Sequence, residues 1–244
     1  MKKFTKIFIF SLAILGVISI LSSGCKKSSD NSNNNPPVTT VTDKDGNVYH
    51  TVTIGTQVWM VENLKTTKFN DGSSIPLVTV DTSWWGLNTP GYCWYDNNIG
   101  YKTTYGALYN WFAVATGKLC PTGWHVPTQT DWNTLATFLG GPLVAGGKLK
   151  DAGTSYWETP NTSATNESGF TAYAGGERYI ISNPQSHTSM FGYMGSRGHW
   201  WSSTPLQTYD DYYTMLLFND DGAMTISGNY GGDTYGYSVR CIKD

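Results

Sequence analysis

Charge is scarce in this sequence. Asp, Glu, Lys and Arg make up 14% of its 244 residues, against roughly 25% in an ordinary soluble domain. A chain so poor in Lys and Glu does not build long helices, which argues against a helical bundle. Basic clusters are missing as well. Once Lys2, Lys3 and Lys6 are set aside, 13 Lys and Arg stand against 18 Asp and Glu, a net charge of −5. Nucleic acid, whose binding needs clustered cations to displace counterions, is therefore excluded as a partner. After residue 21 no apolar run is long enough to form a membrane-spanning helix.

Chemical signatures are missing too. The four histidines, His50, His125, His187 and His199, show no metal spacing of the His-Glu-x-x-His type. No glycine-rich stretch follows a strand and opens a helix, so neither a Walker loop nor a dinucleotide fingerprint is present. Asp210-Asp211 and Asp220-Asp221 are adjacent acids of the kind that turns leave solvated, whereas a glycosidase sets two carboxylates apart across a cleft. Of the cysteines there are only Cys25, Cys93, Cys120 and Cys241, with none between 121 and 240. No internal repeat is found.

What is there begins at the amino end. Lys2, Lys3 and Lys6 form a positive segment before the apolar run from Ile7 to Leu21, long enough for an export signal and short for a membrane span of ~20 residues. Ser22-Ser23-Gly24 then leads into Cys25, a small-residue site that resembles the bacterial lipobox, although Leu21 stands one position further from the cysteine than usual. The reading is a lipoprotein signal over 1–24, with lipid on Cys25 as the only membrane contact. An ordinary secretory signal or an uncleaved anchor remains open. The address expected is the cell envelope, in the outer membrane or at the cell surface. Residues 25–40, which continue as KKSSDNSNNNPPVTT after the cysteine, have almost nothing to bury and form a flexible tether.

The third segment, 41–244, is rich in what builds strands and ordered loops. Over the whole chain Trp, Tyr and Phe reach 14% and glycine numbers 27, so aromatic rings supply much of the core. Val48–Ile54 alternates with period two and is followed across Gly55-Thr56 by Gln57–Val61, a hairpin. Tyr213–Leu217 and Ala223–Ile226 flank the Asn219-Asp220-Asp221-Gly222 turn, and Tyr237–Ile242 reads as a last strand. Two short helices are expected. One spans Ala107–Val114. The other starts at Thr128, with Asp131 as its capping-box partner and Trp132, Leu135, Ala136 and Leu139 on one buried stripe. No helix is expected after Gly140-Gly141-Pro142. The class is α+β: short twisted antiparallel strands, two short helices and long ordered loops.

These blocks carry a family resemblance. Asp45-Gly46-Asn47-Val48-Tyr49, Ile54–Leu64 and Asn70-Asp71-Gly72 resemble the opening of the Fibrobacter succinogenes major paralogous domain. Tyr105–Trp111 and Cys120–Thr128 are similar to its central signature. Gly175-Gly176-Glu177-Arg178, Trp200-Trp201-Ser202-Ser203 and Ser238-Val239-Arg240-Cys241 resemble its later blocks, with Ala174 where a proline is expected. The resemblance implies a C-type-lectin-like fold, distantly similar to formylglycine-generating enzymes. It also implies a disulfide between Cys120 and Cys241, which leaves Cys93 as a buried thiol. The reactive cysteine pair of the formylglycine-generating enzymes has no counterpart here, so no catalysis of that kind is expected, and no catalytic residue is assigned.

No cofactor is expected apart from a possible calcium at Asn219 and Asp220, where Phe218-Asn219-Asp220 approaches the Trp-Asn-Asp triplet of calcium-binding lectins. Asp43–Asn47 resembles the start of a calcium loop but reads as a turn. The ligand-binding candidates are Trp84, Trp85, Tyr209, Tyr212 and Tyr230, aromatics in clusters that exceed what a core requires; Trp124 and Trp132 read as core. The expected function is a non-catalytic, lipid-anchored binding module for a glycan, such as a polysaccharide, or for a partner protein. A structural part in a cell-envelope assembly and an uncharacterised hydrolase are the alternatives. A solvent-facing aromatic strip favours the glycan, a flat apolar patch the assembly, and a cleft with two facing carboxylates the hydrolase.

Overall fold

A computed structural model describes residues 39–183, 186–206, 212–228 and 232–244; Cys25, Tyr209 and Tyr230 fall outside them. The chain enters through β1 (Thr40–Thr42) and turns into β2 (Val48–Ile54). The Asp43 carboxylate makes that turn by accepting the amides of Asp45 and Asn47 at 2.9 Å and the Tyr49 hydroxyl at 2.6 Å. The Asp43–Asn47 segment is thus the turn its sequence suggests. Gly55, at φ +63°, leads into β3 (Gln57–Met60), and the hairpin pairs Val52 with Trp59.

Next come α1 (Asp81–Trp85), β4 (Tyr92–Cys93), α2 (Lys102–Tyr105), β5 (Leu108–Tyr109) and α3 (Trp111–Ala115). The helix expected over Ala107–Val114 therefore starts later. Leu108 and Tyr109 pair with Cys93 and Tyr92, and Asn110 caps α3 by accepting the Ala113 amide. After β6 (Trp124–His125), α4 (Gln129–Phe138) begins at the Thr128 capping box and buries Trp132, Leu135 and Ala136, as its spacing predicts. A further helix, α5 (Pro142–Leu149), follows where none was expected. Pro142 stands at its start. Gly146 and Gly147 lie inside it because backbone presses against both: a Cβ at Gly146 would collide with Ala223 O, and one at Gly147 with Ser163 O.

The remaining strands are β7 (Gly175–Asn183), β8 (Ser186–Met194), β9 (Arg197–Pro205), β10 (Tyr212–Phe218), β11 (Thr225–Gly228) and β12 (Ile242–Lys243). They complete two five-stranded sheets, ordered β1-β2-β3-β12-β6 and β11-β10-β9-β7-β8, with β4-β5 as a two-stranded ribbon. Every pairing is antiparallel except β7 with β9. The expected last strand is shorter than predicted: Tyr237 and Ser238 make single bridges to Tyr109 and Trp200, and only Ile242 and Lys243 form a strand. The fold is α+β, mostly strand, with more short helices than the two foreseen.

Aromatic packing holds the layers together. Trp59 stacks on Trp132 at 4.8 Å and meets Phe170 edge-on at 5.6 Å, joining the first sheet to α4. Trp111 packs on Trp201 at 5.6 Å. Each fully buried ring of this kind stabilises the fold by ~1.5–3 kcal/mol. Arg240 is buried against Phe170, with its guanidinium donating to Asn63 Oδ1 at 2.7 Å and to the carbonyl of Phe170. The Cys120–Cys241 disulfide joins residues 121 apart in sequence across a Cα separation of 6.0 Å. Cys93 is a buried free thiol, pushed up to about 12 chiefly by burial.

Candidate functional site

Glycines in strands mark places where something approaches the backbone closely, and β7 and β8 contain three. A Cβ on Gly175 would meet the Tyr105 side chain at 3.6 Å. One on Gly176 would lie 2.8 Å from the Tyr95 ring, and one on Gly192 would lie 2.9 Å from Tyr179. Tyrosine rings cover the bare backbone, and their contacts form a continuous series. Tyr95 meets Tyr101 at 5.8 Å, Tyr101 meets Tyr105 at 5.9 Å, and Tyr105 meets Tyr173 at 6.3 Å. Tyr156 closes that end, 4.0 Å from Tyr173. At the other end Tyr95 touches Phe191 at 5.4 Å. Tyr179 and Tyr193, 5.6 Å apart, form a separate pair.

None of the strip tyrosines is fully buried. Tyr193 is 40% exposed and sits at φ +66°, a conformation rare for an aromatic residue. The Arg197 guanidinium stacks on its ring at 3.6 Å and holds it at the β8–β9 turn. Burial raises the phenol pKa values of Tyr95, Tyr105 and Tyr173, with neighbouring acids and tyrosines adding to the effect. These hydroxyls stay neutral at physiological pH and can both donate and accept hydrogen bonds. Asp151, raised by burial, lies near Tyr173. The strip thus offers flat apolar faces edged with neutral hydroxyls and acids.

Those residues singled out from sequence that the structure describes lie elsewhere. Trp84 is not a surface residue: it is fully buried, donates its indole N–H to Thr234 O at 2.6 Å, and lies under the Arg178 guanidinium at 4.5 Å. In a helix as short as α1, adjacent tryptophans face different ways, and Trp84 faces the Cys93–Leu108 cluster. Trp85 is the exposed member, at 38%, stacked on His187 at 4.7 Å. Tyr212 is half-buried and stacked on Trp111 at 3.7 Å, so it is packed against the core rather than presented as a platform. Trp132 is buried as foreseen, and Trp124 is half-buried. Asn219 and Asp220 lie in the β10–β11 turn, where the Asn219 side chain donates to Thr159 O at 3.3 Å. Among the described residues no group of three His, Cys, Asp or Glu side chains could hold a metal ion. The strip itself went unrecognised from sequence, and Gly175 and Gly176 were its available signal.

Two further features were not anticipated. His199 joins Glu177 at 2.8 Å through Nδ1 and Thr214 at 2.9 Å through Nε2. That order of groups matches an acid–base relay. All three are buried and His199 stacks on Tyr237 at 3.7 Å, so the relay ties β7, β9 and β10 together inside the sheet. On the opposite helical layer, Ile54, Gly55, Thr134 and Phe138 line an open groove of about 730 Å³ between the β2–β3 hairpin and α4. Phe138 is 62% exposed there and Leu143, at the start of α5, is 82% exposed.

No helix among the described residues is long and apolar enough to cross a membrane. No curated protein and no solved structure matches the chain. The family model of the Fibrobacter succinogenes major domain matches residues 52–243, a span that takes in the first sheet from the second half of β2 onward, the tyrosine strip, the disulfide and the buried Arg178 and Arg240. The chain is therefore a member of the Fibrobacter succinogenes major domain family.

Proposed function

We propose that this domain is a glycan-binding module whose recognition surface is the tyrosine strip from Tyr156 and Tyr173 through Tyr105 and Tyr101 to Tyr95. The observation that carries the reading is the continuous series of half-buried rings in which Tyr105 and Tyr95 lie over Gly175 and Gly176. Flat rings accept the C–H faces of sugars, and tyrosine adds a hydroxyl at the rim without much conformational entropy to lose. The scaffold reading is C-type-lectin-like, supported by a mixed α+β arrangement in which a disulfide ties the segment before α4 to the last strand. Lipid on Cys25 would hold the module in the cell envelope, at the outer membrane or cell surface. The reading assigns no catalytic residue.

The test is retention of the disulfide-intact protein on a panel of soluble and insoluble polysaccharides, with calcium and with chelator. Tyr101→Ala and Tyr173→Ala should each weaken a positive interaction about tenfold, equivalent to ~1.4 kcal/mol, while Trp85→Ala leaves it unchanged. Retention insensitive to both strip variants would sink the reading. Loss in chelator would show that the interaction depends on calcium.

A second reading, a partner-protein or envelope-assembly contact, is favoured by the groove beside Phe138 and the exposed Leu143. Cross-linking of the native envelope that maps to α4 and α5 rather than to the strip would select it.

A further inference from the structure

Lys150 ends α5 and is completely buried, a rare position for a lysine. Its ammonium has three N–H donors, and three oxygens meet them: the carbonyls of Thr162 at 2.9 Å, Phe218 at 2.9 Å and Asp221 at 2.7 Å. None of these acceptors is a carboxylate. The Trp157 ring lies 5.3 Å from the nitrogen and supplies an aromatic face. Burial draws the amine down to about 8, while the charges of Asp221 and Asp220 oppose the change. Three acceptor carbonyls call for all three N–H donors of an ammonium.

The three carbonyls come from two stretches distant in sequence: Thr162 from the loop after Trp157, and Phe218 and Asp221 from the end of β10 and the turn that follows it. Their negative ends converge on one point, an arrangement that repels itself unless a cation occupies the centre. The same stretches are joined around that point by Thr162 N–H to Asn219 O at 2.7 Å and Gly147 N–H to Gly222 O at 2.8 Å. The nitrogen–oxygen distances exceed the ~2.3–2.6 Å that calcium takes from its oxygen ligands. They suit a larger monovalent ion held by backbone carbonyls.

We propose that the Lys150 ammonium is the resident cation of a carbonyl-lined site, and that removing the side chain converts this into a binding site for free ammonium or potassium. Asn219 and Asp220 then belong to the wall of a site already filled by the chain itself. In the native protein the turn needs no metal.

The experiment is Lys150→Ala in the otherwise intact protein, with thermal midpoints read at pH 7 in ammonium, potassium, calcium and choline chlorides at matched ionic strength. In choline the variant should melt about 10 °C below wild type. Ammonium or potassium should restore at least half of the difference, while wild type melts alike in all four salts. A variant midpoint independent of the cation overturns the proposal, as does rescue by calcium alone. Should the variant fail to fold in every salt, the native protein labelled with 15N-lysine decides. One slowly exchanging ammonium resonance at pH 7 supports the proposal, and the absence of any protected ammonium overturns it.

Discussion

Gly176 lies directly beneath the ring of Tyr95, with its backbone at φ +65°. An added methyl group would stand 2.8 Å from Tyr95 Cε2 and collide with the Gly192 carbonyl besides. Neither obstacle is the far end of a flexible chain, because the ring is held by Tyr101 and Phe191 and the carbonyl belongs to β8. Gly176→Ala should therefore lower stability by ~2–4 kcal/mol, combining left-handed strain with overpacking. Urea denaturation measures this, and a loss under ~1 kcal/mol would mean that the ring is free to move aside.

Trp84 and Trp85 should behave as opposites. Trp84→Ala removes a buried indole, its hydrogen bond to Thr234 and its contact with Arg178, and is expected to cost ~3–5 kcal/mol. Trp85→Ala removes a partly exposed ring stacked on His187 and should cost less than ~1 kcal/mol. Equal losses in paired denaturation curves would contradict the orientation of α1.

Asp131 gives the fold an acid-sensitive joint. Burial alone would raise its pKa, but the hydroxyl and amide of Thr128 and the ring of His125 outweigh burial and hold it below the ordinary 3.8. A carboxylate depressed in the folded state adds stability above its unfolded pKa and loses it as the pH falls through the folded value. Asp131→Asn should cost ~1 kcal/mol at pH 7. The gap between variant and wild type should narrow as the pH drops below the usual aspartate range. A gap that persists undiminished in acid would show that the carboxylate charge contributes nothing to the cap.

Cys93 should resist thiol reagents until the protein unfolds. Burial pushes it up to about 12, so almost no thiolate exists at neutral pH, and reagents react with the thiolate. Mass spectrometry after brief alkylation should find it unmodified in native buffer and fully modified in denaturant. Rapid native labelling would mean that the β4 region opens readily.

Sequence was a good guide where one local rule decided the outcome. The Thr128–Asp131 cap, the β2–β3 hairpin across Gly55 and the β10–β11 turn each depend on residues a few positions apart, and the structure contains all three. The family resemblance supplied the Cys120–Cys241 pairing, which no spacing rule contains. Local rules failed where a distant segment decided. Gly146-Gly147 reads as a helix breaker until the backbone at Ala223 and Ser163 is seen pressing on those positions. Trp84 and Trp85 look equivalent until the Cys93–Leu108 cluster takes one of them. The strip was the hardest to read, since Tyr95, Tyr105 and Tyr173 come from segments distant in sequence and meet only in the folded chain. Lys150 likewise shows no sign in sequence that three carbonyls from other segments surround it.

The position of Ile242 has a consequence for when this domain can exist. It pairs with Trp59 on one side and His125 on the other, so β12 is an inner strand of the first sheet, next to the cysteine that closes the disulfide. Until residue 242 is available, β3 and β6 have no partner on that side and Cys120 has no mate. A growing chain can form the β2–β3 hairpin and α4 early, yet it cannot commit to the finished sheet. Any conduit that still encloses Cys241 and Ile242, a ribosome tunnel included, keeps the domain in an open and pliable state.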